Sequence, residues 1–533
     1  MQDNELTKTI DAMLSELYKP DEPGAAVIIT KNGEVIFRKG YGLANLELGV
    51  PIEPHMVFRL GSITKQFTAV AILMLYEEGK LDLQDDITKF LPDYPTHGHT
   101  ITIEHLLHHT SGIKSYTNIK EWMEYITVDL TVAEMIDRFK YRPMEFAPGE
   151  KFNYNNSGYF LLGAIIEKIS GMTYTEFLQK YIFEPLGMKH SYYDMPNLII
   201  PGRASGYKKV DEGFENCEYL SMTHPYAAGS LASNVDDMAI WDEALYTEKL
   251  VKQETLQKAW TPAKLNNGES TGYGYGWAVA NFQGTNLVMH GGGIPGFICD
   301  GFRFPDDHIY VSILTNLGEE IPDLLPYKIG SLVAGRSYVE PVAIELDGAV
   351  YEKFSAVYEI ELMGFEVPIE LEDGKLVAQM PMAAEGSTLY PLSETEYFIR
   401  DSVQRVNFEL DEDGNVSGLR IKGFYGPGMY ARRTDKLLPS QKESIELDAA
   451  ALEAFVGEYQ VAAGMNAAIT LEDGRLMVQV PGQPRLQLHA ESETKFFIKE
   501  APVVVTFEKE ASGQVSAVVI RQAGQDMPAR KVK

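Results

Sequence analysis

Apolar positions along the first 80 residues fall into three patterns. Leu6, Ile10, Met13, Leu14 and Leu17 recur at helical spacing and predict a helix over 5–18. Ala25-Ala26-Val27-Ile28-Ile29-Thr30 and Val35-Ile36-Phe37-Arg38 flank Lys31-Asn32-Gly33-Glu34, and Asn-Gly between apolar runs predicts a hairpin. Ala69-Val70-Ala71-Ile72-Leu73-Met74-Leu75-Tyr76 is apolar on every face, as in a helix inside a core, and Gly79 is a fitting stop. Helical segments dominate from 65 to about 260. Strand-like runs return at Gly276-Trp277-Ala278-Val279, Leu287-Val288-Met289 and Ile309-Tyr310-Val311-Ser312-Ile313-Leu314, and a helix over 320–334 closes the unit. Strands at both ends with helices between them imply one sheet assembled from distant segments, in an α/β unit of about 335 residues.

Beyond that unit the pattern changes. Ile344-Glu345-Leu346-Asp347 recurs as Ile445-Glu446-Leu447-Asp448. Leu371-Glu372-Asp373-Gly374-Lys375-Leu376 recurs as Leu471-Glu472-Asp473-Gly474-Arg475-Leu476, and Ser393-Glu394-Thr395-Glu396-Tyr397-Phe398-Ile399 as Ser492-Glu493-Thr494-Lys495-Phe496-Phe497-Ile498. A period of about 100 residues is too long for a solenoid and fits a duplicated domain. Each copy reads as short strands punctuated by Asp-Gly or Gly turns, with almost no helical periodicity, which predicts a small antiparallel barrel. With linkers at Pro341 and Leu438-Pro439-Ser440, the expected domains are 1–337, 338–440 and 441–533.

The chain carries 76 acidic against 47 basic residues, a formal net charge of -29, which argues against nucleic acid or an anionic membrane as partner. Cys217 and Cys299 form no disulfide framework, and Cys299 reads as a small buried hydrophobe. No apolar run is long enough for a membrane span. Met1-Gln2-Asp3-Asn4-Glu5 lacks the features of a signal peptide, which places the protein in the cytoplasm, or in the periplasm or outside the cell where a leader has been removed.

Three stretches carry candidate chemistry. In Gly61-Ser62-Ile63-Thr64-Lys65, positions three apart on a helix share a face, so Ser62 and Lys65 can meet. A serine needs a base to become a nucleophile, and a buried lysine with a lowered pKa can be that base. Ser-x-x-Lys also occurs at Ser111/Lys114, Ser205/Lys208 and Ser492/Lys495, but only Ser62 opens a long apolar helix. Ser492/Lys495 lies in the repeat, where the matching copy has Glu396 in place of the lysine. The second stretch is Asn153-Tyr154-Asn155-Asn156: a tyrosine sharing a proton with lysine can act as base and then acid, and an asparagine can bridge lysine and substrate. Tyr116-Thr117-Asn118 has the same pattern, so an ordinary turn tyrosine is the competing reading. The third is Met289-His290-Gly291-Gly292-Gly293, whose glycines after a strand let backbone N–H groups approach a ligand as in an oxyanion hole, against the plainer reading of a flexible loop with a solvated histidine. His-Gly-Gly-Gly also occurs in lipases, but the Gly-x-Ser-x-Gly elbow they need is missing from this sequence. His105, His108 and His109 have the spacing of helical metal ligands, without a third ligand or a general-base motif, so no metal and no cofactor is expected.

Taken in order, these stretches resemble the class C β-lactamase and penicillin-binding serine hydrolase family, in its D-aminopeptidase-like three-domain branch. Leu106-Leu107-His108-His109-Thr110-Ser111-Gly112-Ile113 is similar to the family's Leu-Leu-x-His-Thr-Ser-Gly segment, and Ala227-Ala228-Gly229-Ser230-Leu231-Ala232-Ser233 to its Ala-Gly-Gly-Leu-x-Ser segment. Ser111/Lys114 falls inside the first of these and reads as a structural turn. The resemblance implies an α/β catalytic domain, an antiparallel sheet flanked by helices, followed by two small antiparallel β-barrels. It implies catalysis by Ser62, Lys65 and Tyr154 through an acyl-enzyme, an oxyanion held by the N–H groups of Ser62 and Gly293, and substrate binding by Asn156, His290, Gly292 and Gly293. Where β-lactamases often have a lysine, this chain has His290, mostly neutral at pH 7, which in the resemblance goes with aminopeptidases and esterases. The expected activity is therefore a D-aminopeptidase or D-amino acid amidase acting on a small peptide, amide or ester. The alternatives are an esterase with weak or no β-lactamase activity, and a non-catalytic penicillin-binding receptor. D-Aminopeptidase-like enzymes use an acidic loop of the last barrel for the substrate amine; the counterpart Val480-Pro481-Gly482-Gln483-Pro484-Arg485 has no carboxylate, leaving Asp473 or another acid for that task. The barrels read as structural cover for the site or as peptide- or glycan-recruiting modules, and homodimerisation is left open.

Overall fold

A computed structural model describes residues 2–210, 213–319, 321–360, 365–379, 386–424, 426–441, 444–462, 465–472, 474–480, 485–499, 503–510, 514–522 and 525–532. The chain divides into two compact units: 1–209 with 214–338 and 424–427, and 210–213 with 339–423 and 428–533.

The first unit is built on a six-stranded antiparallel sheet. Helix α1 (Gln2–Leu17) precedes β1 (Ala25–Lys31) and β2 (Glu34–Tyr41), joined by Asn32 and Gly33, both with positive φ, as the Asn-Gly signal requires. Helix α2 (Thr64–Glu77) follows Ser62, and α3 (Asn156–Ser170) begins within the second candidate stretch. The late strands are β3 (Ala278–Phe282), β4 (Thr285–Ile294), β5 (Phe297–Phe304) and β6 (Ile309–Thr315), followed by α4 (Leu325–Val333). The strand order is β3-β4-β5-β6-β1-β2. β1 pairs with β6 from Ala25↔Thr315 to Lys31↔Ile309, so the first strand closes a sheet made almost 300 residues later.

Two expectations change here. The glycines of the third stretch are not a loop: His290 to Ile294 continue β4 and pair with β5 through Gly292↔Cys299 and Gly293↔Ile298. β3 pairs with β4 only as far as Met289, so these five residues have no β3 partner on their other edge. Strand β5 itself was not expected, because Asp300, Gly301 and Arg303 interrupt its apolar run. Among the described residues, no helix is long and apolar enough to cross a membrane.

The second unit contains two closed antiparallel barrels of eight strands each, running from Ala356–Ile360 to Met429–Arg433 and from Gly457–Ala462 to Gln525–Lys531. The closing pairs are Tyr358↔Arg433 and Tyr459↔Lys531. Each barrel is preceded by a short helix, Gly348–Phe354 and Ala449–Glu453, that the sequence pattern did not predict. The repeated Asp347 and Asp448 are their N-caps, accepting from the N–H groups of Ala349 and Ala451. The repeat extends to the core. Tyr358 OH donates to Phe354 O at 2.8 Å and Tyr459 OH to Phe455 O at 2.7 Å, while Phe354 stacks on Phe408 and Phe455 packs at a tilt on Phe507.

Candidate active site

Ser62 sits in a 3-10 turn, Gly61–Ile63, directly before α2. That geometry brings residues three apart into near eclipse, and Lys65 Nζ lies 3.0 Å from Ser62 Oγ. Lys65 is wholly buried because α2 is apolar on every side. Its ammonium is therefore costly, and burial holds its pKa well below the usual lysine range. Nζ also donates to Asn156 Oδ1 at 2.8 Å and to Ala228 O at 2.8 Å. A neutral amine has two hydrogens and one lone pair. Asn156 Oδ1 and Ala228 O can only accept, so they take both hydrogens, and the lone pair is left for the one partner that can donate, the Ser62 hydroxyl.

The segment carrying Tyr154 and Asn156 runs beside this pair. Lys65 Nζ stands 4.7 Å from the centre of the Tyr154 ring and 5.5 Å from that of Tyr159. Asn156 is fixed from behind: its N–H donates to Ser115 Oγ at 3.2 Å and its Nδ2 to Thr117 Oγ1 at 3.3 Å. The competing Tyr116-Thr117-Asn118 motif is thus part of the support for Asn156. Ala228 comes from the Ala227-to-Ser233 stretch, which also ties down α2: Thr68 Oγ1 donates to Ala227 O at 2.6 Å, and Leu231 N–H donates to Thr64 Oγ1 at 3.1 Å.

Backbone approaches Ser62 from β4. A Cβ on Gly292 would lie 1.9 Å from Leu60 O and 3.0 Å from Ser62 N; one on Gly61 would lie 2.8 Å from Gly293 N. Only glycines let the two segments meet so closely, and Gly61 has the left-handed φ of 50° that glycine tolerates best. Gly276, also left-handed, is pressed against Lys65 O in the same way.

His290 is buried, and both its nitrogens are used within the protein. Nδ1 is 2.5 Å from Gly291 O, which can only accept, so Nδ1 carries the hydrogen; Nε2 accepts from Tyr273 OH at 2.8 Å. Burial, with the Lys65 charge second, pushes its pKa down to about 3. In this arrangement the ring is neutral and both nitrogens have partners within the protein. Tyr273, absent from the sequence reading, also packs its ring on His109 at 4.7 Å, and its carbonyl lies 3.1 Å from His108 Nδ1. Its only sequence signal is the Tyr-Gly-Tyr-Gly run ahead of β3.

His105 and the Ser111/Lys114 and Ser492/Lys495 motifs have structural partners. His105 Nδ1 accepts from Thr102 N–H in the cap of the short helix Ile103–Leu107. Ser111 Oγ accepts from Ile113 N–H while Lys114 pairs with Glu145, and Ser492 Oγ accepts from Lys495 N–H while that lysine pairs with Glu491. Cys299 is buried and donates to Arg59 O. Asp473 and residues 481–484 lie outside the described residues.

With this serine-lysine pair at the head of a buried helix, a Tyr-x-Asn segment against it and a glycine strand beside it, residues 10–329 of the chain match the model of a known protein family. The chain belongs to the Beta-lactamase family. It is a serine hydrolase of that fold, related to penicillin-binding proteins and D-aminopeptidases. Penicillin-binding protein 4* of Bacillus subtilis is 28% identical over 434 residues, 77% of this chain and 95% of the relative. The D-aminopeptidase of Gluconobacter oxydans is 29% identical over 301 residues, 55% of this chain but only 56% of the relative. The solved octameric penicillin-binding protein homologue from Pyrococcus abyssi is 28% identical, with a TM-score of 0.56 over 81% of this chain and all of that one. Residues 441–531 match a domain of unknown function.

Proposed function

We propose that this hydrolase cleaves amide bonds of D-amino acid amides and short D-peptides through an acyl-enzyme on Ser62. The single observation that carries the reading is the bonding of Lys65, whose two hydrogens have carbonyl acceptors and whose lone pair is left to Ser62. Ser62 Oγ attacks the carbonyl carbon as its proton passes to Lys65. The developing oxyanion takes hydrogen bonds from the N–H groups of Ser62 and Gly293, each donor contributing on the order of 3 kcal/mol. Collapse breaks the C–N bond, and the leaving amine takes the proton back from the coupled Lys65–Tyr154 pair. Water then attacks the ester by the same path and restores Ser62. Asn156 orients the substrate carbonyl side; Gly292 allows the approach of β4.

The neutral, buried His290 supports a substrate without a carboxylate at that end, which favours amides and esters over carboxypeptidase substrates. The D-aminopeptidase relative supports a free amine at the other end. A second reading, an esterase, draws support from the 480–485 stretch, which offers no carboxylate for such an amine. Homo-oligomerisation is part of the proposal, supported by the octamer named for the Pyrococcus relative.

Hydrolysis of a D-alanine anilide and a short-chain aryl ester, side by side with Ser62→Ala, tests this. Anilide cleavage with D over L preference is expected. Ester cleavage alone selects the second reading, no turnover of either substrate selects a receptor, and undiminished activity in Ser62→Ala sinks the nucleophile.

A further inference from the structure

We propose that His109 is a positioning residue of this site, which sets Tyr154 and Asn156 against Lys65 by accepting hydrogen bonds on both sides of Tyr154. The inference rests on the roles given above to Ser62, Lys65 and Tyr154.

His109 follows the helix Ile103–Leu107 and is buried. Its carbonyl accepts from Asn153 N–H at 3.0 Å, and its ring Nδ1 accepts from Asn155 N–H at 3.0 Å. These two bonds bracket Tyr154, and Asn156 follows directly. The second is side chain to backbone, so it exists only while Nδ1 carries no hydrogen. A backbone N–H can only donate, and the neutral ring must then hold its hydrogen on Nε2. Nε2 is buried without a hydrogen-bond partner. The ring lies in an aromatic box, with ring centres 4.4 Å from Tyr154, 5.0 Å from Tyr159 and 4.7 Å from Tyr273. A buried orphan donor is unfavourable and needs a compensating reason; the Nδ1 bond supplies one, because only this tautomer can hold Asn155.

The backbone points the same way. His109 has φ of 60°, the left-handed region that a non-glycine residue adopts at a cost. That turn places the carbonyl and the ring on the same neighbouring segment. The titratable groups around the ring are Lys65, His108, His290, Tyr154, Tyr159 and Tyr273, and the cationic forms of the first three oppose a second charge on His109. Asn155 is itself buried, so an N–H deprived of Nδ1 has no water to turn to.

Asparagine separates positioning from bulk. Its Oδ1 occupies the same branch as Nδ1, it only accepts there, and it tolerates left-handed φ. Leucine fills similar space and accepts nothing. We expect His109→Leu to lower kcat on the aryl ester about 100-fold, the scale for a catalytic group displaced by about an ångström, with KM little changed. The acidic limb of its pH–rate profile, where Lys65 loses its proton, should shift. His109→Asn should recover most of the loss and the wild-type profile. Wild-type kcat in His109→Leu overturns the proposal, as does equal impairment of both variants at unchanged melting temperature. If His109→Leu fails to fold, His109→Asn decides alone: near-wild-type kcat supports the proposal and a 100-fold loss in a folded protein overturns it. An active Ser62→Ala would instead overturn the underlying reading of the site.

Discussion

Gly292 and Gly293 are neighbours in one strand, and the structure predicts opposite outcomes for the same substitution. Neither has a left-handed φ, so alanine's backbone preferences are not at issue at either position. The difference is space. A Cβ at 292 would lie 1.9 Å from Leu60 O, about 1.4 Å inside the roughly 3.3 Å at which carbon and carbonyl oxygen ordinarily meet. The obstacle is backbone on both sides, β4 against the turn that carries Ser62, so it cannot rotate away. Strand and turn must separate by an ångström or more, which opens the gap between Ser62 N and Gly293 N. Losing one oxyanion donor costs about 10²–10³ in kcat, or about 2.7–4 kcal/mol, and overpacking adds about 1–3 kcal/mol of lost stability. At 293 the added Cβ would meet only Ile298 Cδ1, at 3.2 Å, the tip of a side chain that can move. Gly292→Ala should therefore lose about 10²–10³ in kcat with a lowered melting temperature, while Gly293→Ala stays within about tenfold of wild type. Initial rates on the aryl ester with a thermal melt of each variant decide it. Wild-type kcat and melting temperature in Gly292→Ala would show that β4 does not abut the Ser62 turn, and the account of the oxyanion site would fall with it.

Two further outcomes follow from the same geometry. Lys65→Arg puts a permanent cation where the buried lysine is neutral, and it cannot deprotonate at working pH, so kcat should fall by about 10²–10⁴; a rate within tenfold of wild type would exclude Lys65 as the base. Stability should also depend on pH in a stated direction. Burial lowers the pKa of His108 from 6.5 to about 4 and of His290 from 6.5 to about 3 in the folded chain. Below pH 6.5 the unfolded chain takes up protons that the folded chain refuses, so each histidine removes up to about 1.4 kcal/mol per pH unit until its folded value is reached. Urea unfolding at pH 7, 5.5 and 4.5 should show falling stability of the first unit, and equal midpoints at all three would contradict the burial of these rings.

What the sequence made legible was local, or repeated. Ser62 and Lys65 are three apart, the Asn32-Gly33 turn is self-contained, and the barrels announce themselves because the same strands and Asp caps are written twice. What it hid was long-range. Ala228 O reaches Lys65 across 163 positions and Asn156 across 91. Glycines argue for a loop when read alone, yet in β4 Gly292 is required by the Leu60 carbonyl that packs on it. His109 drew notice first as a stray metal-spacing histidine; nothing near it in sequence says that its partners are Asn153 and Asn155. Tyr273 is ordinary in composition and acquires meaning only beside His290. The barrel-leading helices, at seven and five residues, are too short to show a period.

Several of the groups around Lys65 are kept uncharged by burial. Its depressed pKa has burial as its cause. His109 and His290 are held neutral by the same burial, and Tyr159 keeps its proton because burial raises its pKa well above the usual tyrosine range. Tyr273 supplies a hydroxyl to His290, and Asn156 and Ala228 supply carbonyls to Lys65. A carboxylate here would hold Lys65 as an ammonium and end its use as a base. A permanent cation in place of His290 would instead recruit a substrate carboxylate. On the mechanism proposed above, charge develops as the proton moves to Lys65 and the oxyanion forms. Those two charges arise together in a water-poor setting, where fixed dipoles act more strongly than in bulk solvent. The apolar run that first marked α2 as a core helix is thus also what lowers the pKa of its lysine toward that of a base.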